Sequence, residues 1–223
     1  MAEPSGLFSF HARVAVIGAG ALGCAVLPRI ARMRIAKLSI VDGDRVEKKN
    51  LERQSLFEEM DIGQFKASTV AGWMRQVLAS GEVVAHDVFM DASNAQELLR
   101  DHDVVVEGVD DLHAKELIDR VCGELHIPLI SGGVHLKQGQ VMLLHATNAG
   151  LDLSRSDVFG GRSGVEQDGC DMRHVPMHVI EEVAQRMAWR VRELLSGVAL
   201  KNGRIEQFDG DMRAWLEIEP PNK

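Results

Sequence analysis

The sequence has few cysteines, no long apolar run and no excess of positive charge. Its three cysteines, Cys24, Cys122 and Cys170, are scattered along the chain, which fits a reducing cytoplasm better than a disulfide-stabilised secreted fold. No apolar run reaches the roughly 18 residues of a membrane span. The N-terminal MAEPSGLFSF lacks the basic and apolar regions of a secretory signal. We therefore expect a cytoplasmic protein without a membrane-spanning segment.

The charge balance bears on the class of partner. The net charge is −8, and binding to nucleic acid requires a basic face that neutralises phosphates. A nucleic-acid partner is therefore disfavoured, although a local basic pocket is compatible with this total. Apolar residues make up 45% and charged residues 26% of the 223 residues, which is ordinary for a globular domain with a full core.

Short β-branched runs alternate with segments of helical periodicity over the first two thirds of the chain. Strands are predicted at Arg13–Gly18, Lys37–Val41, Glu82–Val88, Asp103–Glu107, Ile127–Ser131 and Gln140–His145. Helices are predicted at Ala21–Ile35, Ile62–Leu78, Asn94–Arg100 and Asp111–Leu125. This alternation predicts an α/β fold with a Rossmann-like, doubly wound and mostly parallel sheet.

The last third of the chain has a different pattern. Residues 146–174 are rich in Gly, Ser and Asp without a period, so we predict a long loop, which we call the crossover loop. A long helix is predicted over residues 175–196, followed by a C-terminal hairpin extension at about 204–219 with a turn at Asp209-Gly210-Asp211. We interpret residues 1–223 as a single domain.

A glycine-rich turn joins the first strand to the first helix. Gly18, Gly20 and Gly23 form a G-x-G-x-x-G pattern, in which the first two glycines let the backbone approach a phosphate and the third lets helix and strand pack closely. Asp42 ends the second strand at the distance expected of a ribose-binding carboxylate. The pattern indicates a nucleotide site; the alternative is a tight strand–helix turn without a ligand.

The stretch VEKKNLERQSLF, residues 46–57, argues against a dehydrogenase, the class of enzyme in which a G-x-G-x-x-G turn is usual. A nicotinamide cofactor does not require the closely spaced Asn50, Arg53 and Gln54 at the mouth of the first nucleotide lobe. A triphosphate does, because Arg53 and Lys66 would neutralise its charge and Asn50 would donate a hydrogen bond. The alternative for Arg53 and Lys66 is a solvated surface face.

Several motifs together resemble the ThiF/MoeB/HesA family, the bacterial branch of ubiquitin-activating enzymes. They are VIGAGALG, VDGDRVEKKNLERQSLF, DIGQFKA, VVVEGVDD and PLISGGVHLKQGQV, between about Arg13 and Val141. The resemblance implies an ATP- and Mg²⁺-dependent adenylyltransferase. Such an enzyme adenylates the C-terminal glycine of a small ubiquitin-like carrier with a Gly-Gly tail, releases pyrophosphate and acts as a homodimer or heterodimer.

The resemblance also assigns roles to individual residues. The nucleotide would be bound by Gly18, Gly20, Gly23, Asp42, Asp44, Asn50, Arg53, Gln54, Lys66 and Asp110. Among these, Arg53, Lys66 and Asp110 would take part in catalysis, with Asp110 binding or orienting Mg²⁺. The resemblance further implies that Cys170, in EQDGCDMRHVP, takes the carrier as a thioester or acyl-disulfide. The alternative for Cys170 is an incidental loop thiol, since the flanking Asp168 and Asp171 oppose thiolate formation.

Three departures from the family pattern affect the interpretation. The chain has no pair of C-x-x-C motifs, so no structural zinc is expected. No arginine occurs among the dozen or so residues before the first strand, where relatives carry one that reaches their partner's ATP. Asp110-Asp111 stands where relatives have Asp-Asn, which could alter metal or nucleotide preference.

These departures keep alternatives open beside adenylation of a carrier. One is a non-catalytic or partner-completed subunit of a heterodimeric activating enzyme. Others are adenylation of a peptide terminus or a modified tRNA base, which the acidic charge disfavours for RNA. A nicotinamide-dependent oxidoreductase is supported by the glycine turn alone.

Overall fold

The structure is a computed structural model that describes residues 11–78, 81–146, 152–159 and 174–219. Within these ranges eight strands form a single sheet in the order β3-β2-β1-β4-β5-β6-β7-β8. The strands are β1 Arg13–Ile17, β2 Lys37–Val41, β3 Glu82–His86, β4 Val104–Glu107, β5 Leu129–His135, β6 Gln138–Leu144, β7 Ile205–Asp209 and β8 Ala214–Ile218. The helices are α1 Ala21–Ala31, α2 Lys66–Val77, α3 Ala95–Leu99, α4 Leu112–Leu125, α5 Arg155–Val158 and α6 Met177–Leu195.

The sheet has a parallel part and an antiparallel part. Strands β3, β2, β1, β4 and β5 pair in parallel, and β6, β7 and β8 extend the sheet antiparallel. The predicted Rossmann-like α/β fold is therefore confirmed, and the predicted C-terminal hairpin is β7–β8. The chain reverses its direction of winding at β1, which lies between β2 and β4, and ligands of such sheets bind at this point, beyond the carboxyl ends of the strands.

Helices cover both faces of the sheet. Val14 and Val16 pack in the same buried cluster as α1, α2 and α6, whereas Ala15 and Ile17 pack with residues of α3 and α4. Alternate residues of a strand point to opposite faces, so one short β-branched run serves both layers. Among the described helices none is both long and apolar enough to cross a bilayer.

Several element boundaries differ from those predicted. The first helix ends at Ala31 instead of Ile35, and the third strand ends at His86 instead of Val88. The helix predicted from Ile62 begins at Lys66, because Gly63 adopts a φ of +90° that ends the preceding 3₁₀ turn. The strands predicted as Ile127–Ser131 and Gln140–His145 are shifted toward each other and form one hairpin, with His135 paired to Gln138. The positive φ of Leu136 lets this tight connection close.

The glycine turn depends on close contact between α1 and the end of β1. Gly18 has a φ of +95°, and a Cβ built on Gly23 would lie 2.0 Å from the Gly18 carbonyl oxygen. Any side chain at position 23 would therefore push α1 away from β1. This contact is the close helix–strand approach that the third glycine of the motif was predicted to allow.

We expect Gly23→Ala to lower the free energy of unfolding by about 1–3 kcal/mol, since backbone must move to admit the methyl group. Gly72→Ala is the matched control, because Gly72 also lies inside a helix and its Cβ would meet nothing within 4 Å. That control should raise the free energy of unfolding by about 0.5–1 kcal/mol. Chemical denaturation measures both, and equal stability of the two variants would contradict the proposed contact.

Candidate functional site

Asp42 joins the end of β2 to the glycine turn. Its Oδ2 accepts a hydrogen bond from the backbone N–H of Ala19 at 2.6 Å, and its Oδ1 accepts one from the backbone N–H of Asp44 at 2.8 Å. Burial raises the pKa of this carboxyl and outweighs the opposing effect of these two hydrogen bonds. Each oxygen keeps a further lone pair, so the carboxylate can still accept from a ligand hydroxyl.

The start of α1 offers backbone donors next to Asp42. Gly20 is the N-cap of this 11-residue helix, and no side chain caps it. A Cβ at Gly20 would meet nothing within 4 Å, so there is open space above the turn. Uncapped N–H groups at the positive end of a helix dipole are suited to an anion such as a phosphate.

Lys66 adds a buried cation to the same edge. It is the first residue of α2 and only 6% exposed. Its backbone N–H donates to the Asp44 carbonyl at 2.9 Å, and its Nζ donates to Asp44 Oδ2 at 2.8 Å. The alternative of a solvated surface lysine is therefore wrong. Asp44 holds Lys66 in place, and the positive charge of Lys66 acts on Asp42.

Asn50 shapes the stretch that the sequence singles out. Its Oδ1 accepts from the backbone N–H of Glu47 at 2.8 Å and closes a capping box around a 3₁₀ turn. The Asn50 carbonyl accepts from the backbone N–H of Arg53 and of Gln54. Asn50 therefore fixes the conformation of this stretch, and its amide Nδ2 is the part suited to the predicted donor role.

Arg53 and Gln54 lie half-buried beside this turn. Among the interactions of Arg53, its Nη1 donates to the carbonyl oxygen of Val175, just before α6. The Gln54 Oε1 is buried without a hydrogen-bond partner. Buried amide oxygens are rarely left unpaired, and a half-turn of the amide would present its NH₂ at the same place. Gln54 is therefore a polar group that a bound ligand could satisfy.

Asp110 reaches the site from β4. The backbone of Gly108 packs against the glycine turn, since a Cβ on Gly18 would lie 3.2 Å from Val109 Cγ1 and 3.5 Å from the Gly108 carbonyl oxygen. Asp110 is exposed, whereas Asp111 caps α4 by accepting from the backbone N–H of Ala114 at 2.6 Å. The extra carboxylate of the Asp-Asp pair thus has a structural role, and Asp110 is the candidate oxygen ligand for Mg²⁺.

A buried charged cluster below Asp110 was not predicted from the sequence. The side chain of Glu107 is 0% exposed, and Lys115 Nζ contacts its two carboxylate oxygens at 2.8 and 2.9 Å. Arg155 Nη2 lies 3.1 Å from Glu107 Oε1, and Ser131 Oγ also donates to that oxygen. A glutamate ending the apolar run DVVVE was the available signal, because a strand buried on both faces rarely carries a charge without a partner.

The cluster also shapes the turn that leads to Asp110. The backbone N–H of Val109 donates to Glu107 Oε2 at 3.2 Å, and Lys115 Nζ donates to the Gly132 carbonyl at 2.8 Å. Burial lowers the pKa of Lys115, and the attraction of Glu107 opposes that effect. The carboxylate thereby fixes β4, β5 and α4 at the edge where the candidate nucleotide site lies.

A model of the ThiF family matches residues 9–223. The chain belongs to the ThiF family. Among curated relatives, it is 36% identical over 132 residues to the adenylyltransferase and sulfurtransferase MOCS3 of Caenorhabditis briggsae, covering 59% of this chain and 33% of that protein. It is 34% identical over 135 residues to the sulfur carrier protein adenylyltransferase of Thermus thermophilus, covering 60% and 50%. The chain thus matches at most about half the length of these relatives.

Solved structures share the fold at low sequence identity. The crystal structure of PaaA has a TM-score of 0.79 at 20% identity, covering 96% of this chain and 65% of that one. The E. coli MccB structure with ATP has a TM-score of 0.79 at 17% identity, covering 96% and 64%. The ThiF-family fold therefore extends over almost the whole chain, including its antiparallel strands.

Two of the three cysteines of this ThiF-family chain, Cys24 and Cys122, are described by the structure, and both are buried. Burial raises the pKa of Cys24 to about 12 and raises that of Cys122 further, so both are packing residues rather than nucleophiles. Cys170 lies outside the described residues. The described ranges contain no group of three or more His, Cys, Asp or Glu side chains arranged to hold a metal ion.

Proposed function

We propose that this chain catalyses ATP-dependent adenylation of the C-terminal glycine of a small ubiquitin-like carrier with a Gly-Gly tail. The observation that carries the proposal is the assembly of the uncapped glycine turn, Asp42 and buried Lys66 at one edge of the sheet. It combines backbone donors, a carboxylate and a cation, as a nucleoside triphosphate requires. Relatives named as adenylyltransferases of sulfur carriers support the same activity.

The reaction is a transfer at phosphorus. An oxygen of the carrier's terminal carboxylate bonds to the α-phosphorus of ATP, the bond from that phosphorus to the bridging oxygen breaks, and pyrophosphate leaves with the bonding electrons. Asp42 accepts from the ribose hydroxyls, while Lys66 and Arg53 offset the charge that develops on the phosphate oxygens. Asn50 and Gln54 supply further polar contacts. Asp110 would hold Mg²⁺, which would supply charge neutralisation on the phosphates when bound.

The contact of Arg53 with α6 bears on this role. Its guanidinium donates to the Val175 carbonyl, just before that helix. A guanidinium has five N–H donors in a planar fork, so it can bind a phosphate while keeping a carbonyl contact. Arg53 would then connect the phosphates to the start of α6.

The proposal also covers the cellular location, the oligomeric state and a second step at Cys170. We place the reaction in the cytoplasm, where ATP is available, and we expect a homodimer or heterodimer, which sedimentation of the purified chain measures. Cys170 would attack the acyl carbon of the adenylate, forming a thioester and releasing AMP. A single domain spanning residues 1–223 would carry all of these steps.

Calorimetric titration with Mg-ATP and, separately, with NAD tests the proposal without knowledge of the carrier. We expect binding of Mg-ATP and none of NAD, because the proposed site provides for a triphosphate and one ribose. Binding of NAD alone would overturn the proposal in favour of an oxidoreductase. Binding of neither would favour a subunit whose site a partner completes.

Lys66→Ala and Arg53→Ala should each raise the Kd for Mg-ATP at least about tenfold, as loss of one charged hydrogen bond predicts. Lys49→Ala is the matched control, because Lys49 lies in the same stretch but is 74% exposed and paired with Glu47. Its Kd should stay within about twofold of the unmodified chain. Unchanged affinity in both test variants would remove them from the phosphate site.

Cys170→Ala should leave ATP-dependent release of pyrophosphate intact and abolish the covalent carrier adduct, since only the second step uses the thiol. Intact-mass spectrometry without reductant detects the adduct once a carrier supports pyrophosphate release. Cys24→Ala is the control, because that thiol is buried with a raised pKa. An adduct that persists in Cys170→Ala would exclude this residue as the acceptor.

A further inference from the structure

His145, the residue after β6, lies between two carboxylates. Its Nε2 is 2.9 Å from Asp119 Oδ1 on α4, and its Nδ1 is 2.7 Å from Asp152 Oδ1. The His145 side chain is only 5% exposed and that of Asp119 only 9%. A neutral imidazole has one N–H and one acceptor nitrogen, so both contacts are hydrogen bonds to carboxylates only when the ring is protonated.

The segment Asp152–Phe159 is fastened to the core at a second point. The backbone N–H of Arg155 donates to Asp119 Oδ2 at 3.0 Å, so one oxygen of this buried carboxylate holds the segment directly and the other contacts His145. The Arg155 side chain contacts Glu107 and Ser131 on β4 and β5. The segment is therefore held by polar bonds to α4 and to two strands, and Leu153 and Val158 add apolar packing.

The two carboxylates that face the ring differ in exposure. Asp152 is 55% exposed, whereas Asp119 is buried with its Oδ1 against the ring. A protonated ring donates to both carboxylates, and a buried carboxylate that faces a ring nitrogen without a proton is costly. The ring also packs on Gly123, where a Cβ would lie 2.9 Å from His145 Cε1.

The segment links opposite edges of the sheet. Leu144 pairs with Leu129 at the start of β5, so His145 lies at the edge formed by the amino ends of the parallel strands. Arg155 reaches Glu107 at the end of β4, which pairs with Ile17 directly before the glycine turn. The Arg155 side chain thus reaches the strand that leads to the edge carrying Gly18, Asp42 and Asp110.

We propose that His145 is a positioning residue, which as an imidazolium holds residues 152–159 against α4 and β5 beside the nucleotide edge. The consequence for catalysis rests on the proposed function. The held segment places the Arg155 guanidinium on Glu107, the carboxylate that also binds the backbone of the turn leading to Asp110.

The direction of the pH dependence follows from the groups that face the ring. Burial lowers the pKa of His145, but the hydrogen bonds and charges of Asp119 and Asp152 outweigh it and raise the pKa above its usual 6.5. The charged contacts are therefore fully present below pH 6.5 and are lost as the pH rises through the raised pKa.

Hydrogen–deuterium exchange of the peptide covering 152–158 tests the proposal on the full chain. After correction for intrinsic exchange, we expect the segment to be protected at pH 6 and to lose protection at pH 9, because the contacts of the imidazolium are lost between these values. His145→Gln should show the lower protection at both values of pH. The control is His113→Gln, because His113 is exposed on α4, the helix that also carries Asp119. This variant should behave like the unmodified chain. Protection that is independent of pH, or pH dependence that survives in His145→Gln, would overturn the proposal.

Arg155→Gln keeps the test decisive if His145→Gln fails to fold. This variant should lose protection of the segment yet retain its pH dependence, because the contacts of His145 are unchanged. Loss of the pH dependence there would assign the effect to Arg155 and overturn the role of His145. Titration with Mg-ATP separates the two proposals, since His145→Gln should bind it like the unmodified chain. Failure of the unmodified chain to bind Mg-ATP would reject the nucleotide function and leave the exchange result to decide the role of His145.

Discussion

The arrangement of the site depends on one buried carboxylate, that of Glu107. A charge without exposure at the end of β4 must be compensated, and the compensation comes from α4, β5 and α5 through Lys115, Ser131 and Arg155. The carboxylate also accepts from the backbone N–H of Val109. One ionised group therefore sets the relative position of four elements and the turn that presents Asp110.

A few polar contacts also orient the groups of the nucleotide edge. Asp42 binds the backbone of the glycine turn, and Asp44 binds Lys66 through both its carbonyl and its carboxylate. These contacts orient the donors and the cation in the protein itself, so little reorganisation is required when an anion binds. The apolar strands β1 and β2 provide the rigid base from which Asp42 and the glycines project.

The agreement between sequence and structure is closest where the signal is local. The runs RVAVI, KLSIV and VVVE become strands as predicted, because β-branched residues favour a pleated surface that is covered on both faces. The helix predicted from Ile62 starts four residues later because the positive φ of Gly63 terminates the turn before it. The burial of Lys66 was open to a solvated alternative, since the sequence alone does not indicate which face of α2 meets Asp44.

The sequence by itself determined the alternation of strands and helices, the glycine turn and the motif residues of the nucleotide edge. Each is encoded within a few neighbouring positions, through side-chain period, turn chemistry and spacing. Only the tertiary structure decided that Glu107, Lys115 and Arg155 share one cluster and that His145 lies between Asp119 and Asp152. These partners are 7–48 positions apart, and their attraction acts only after the apolar faces of the sheet and α4 have packed and excluded water.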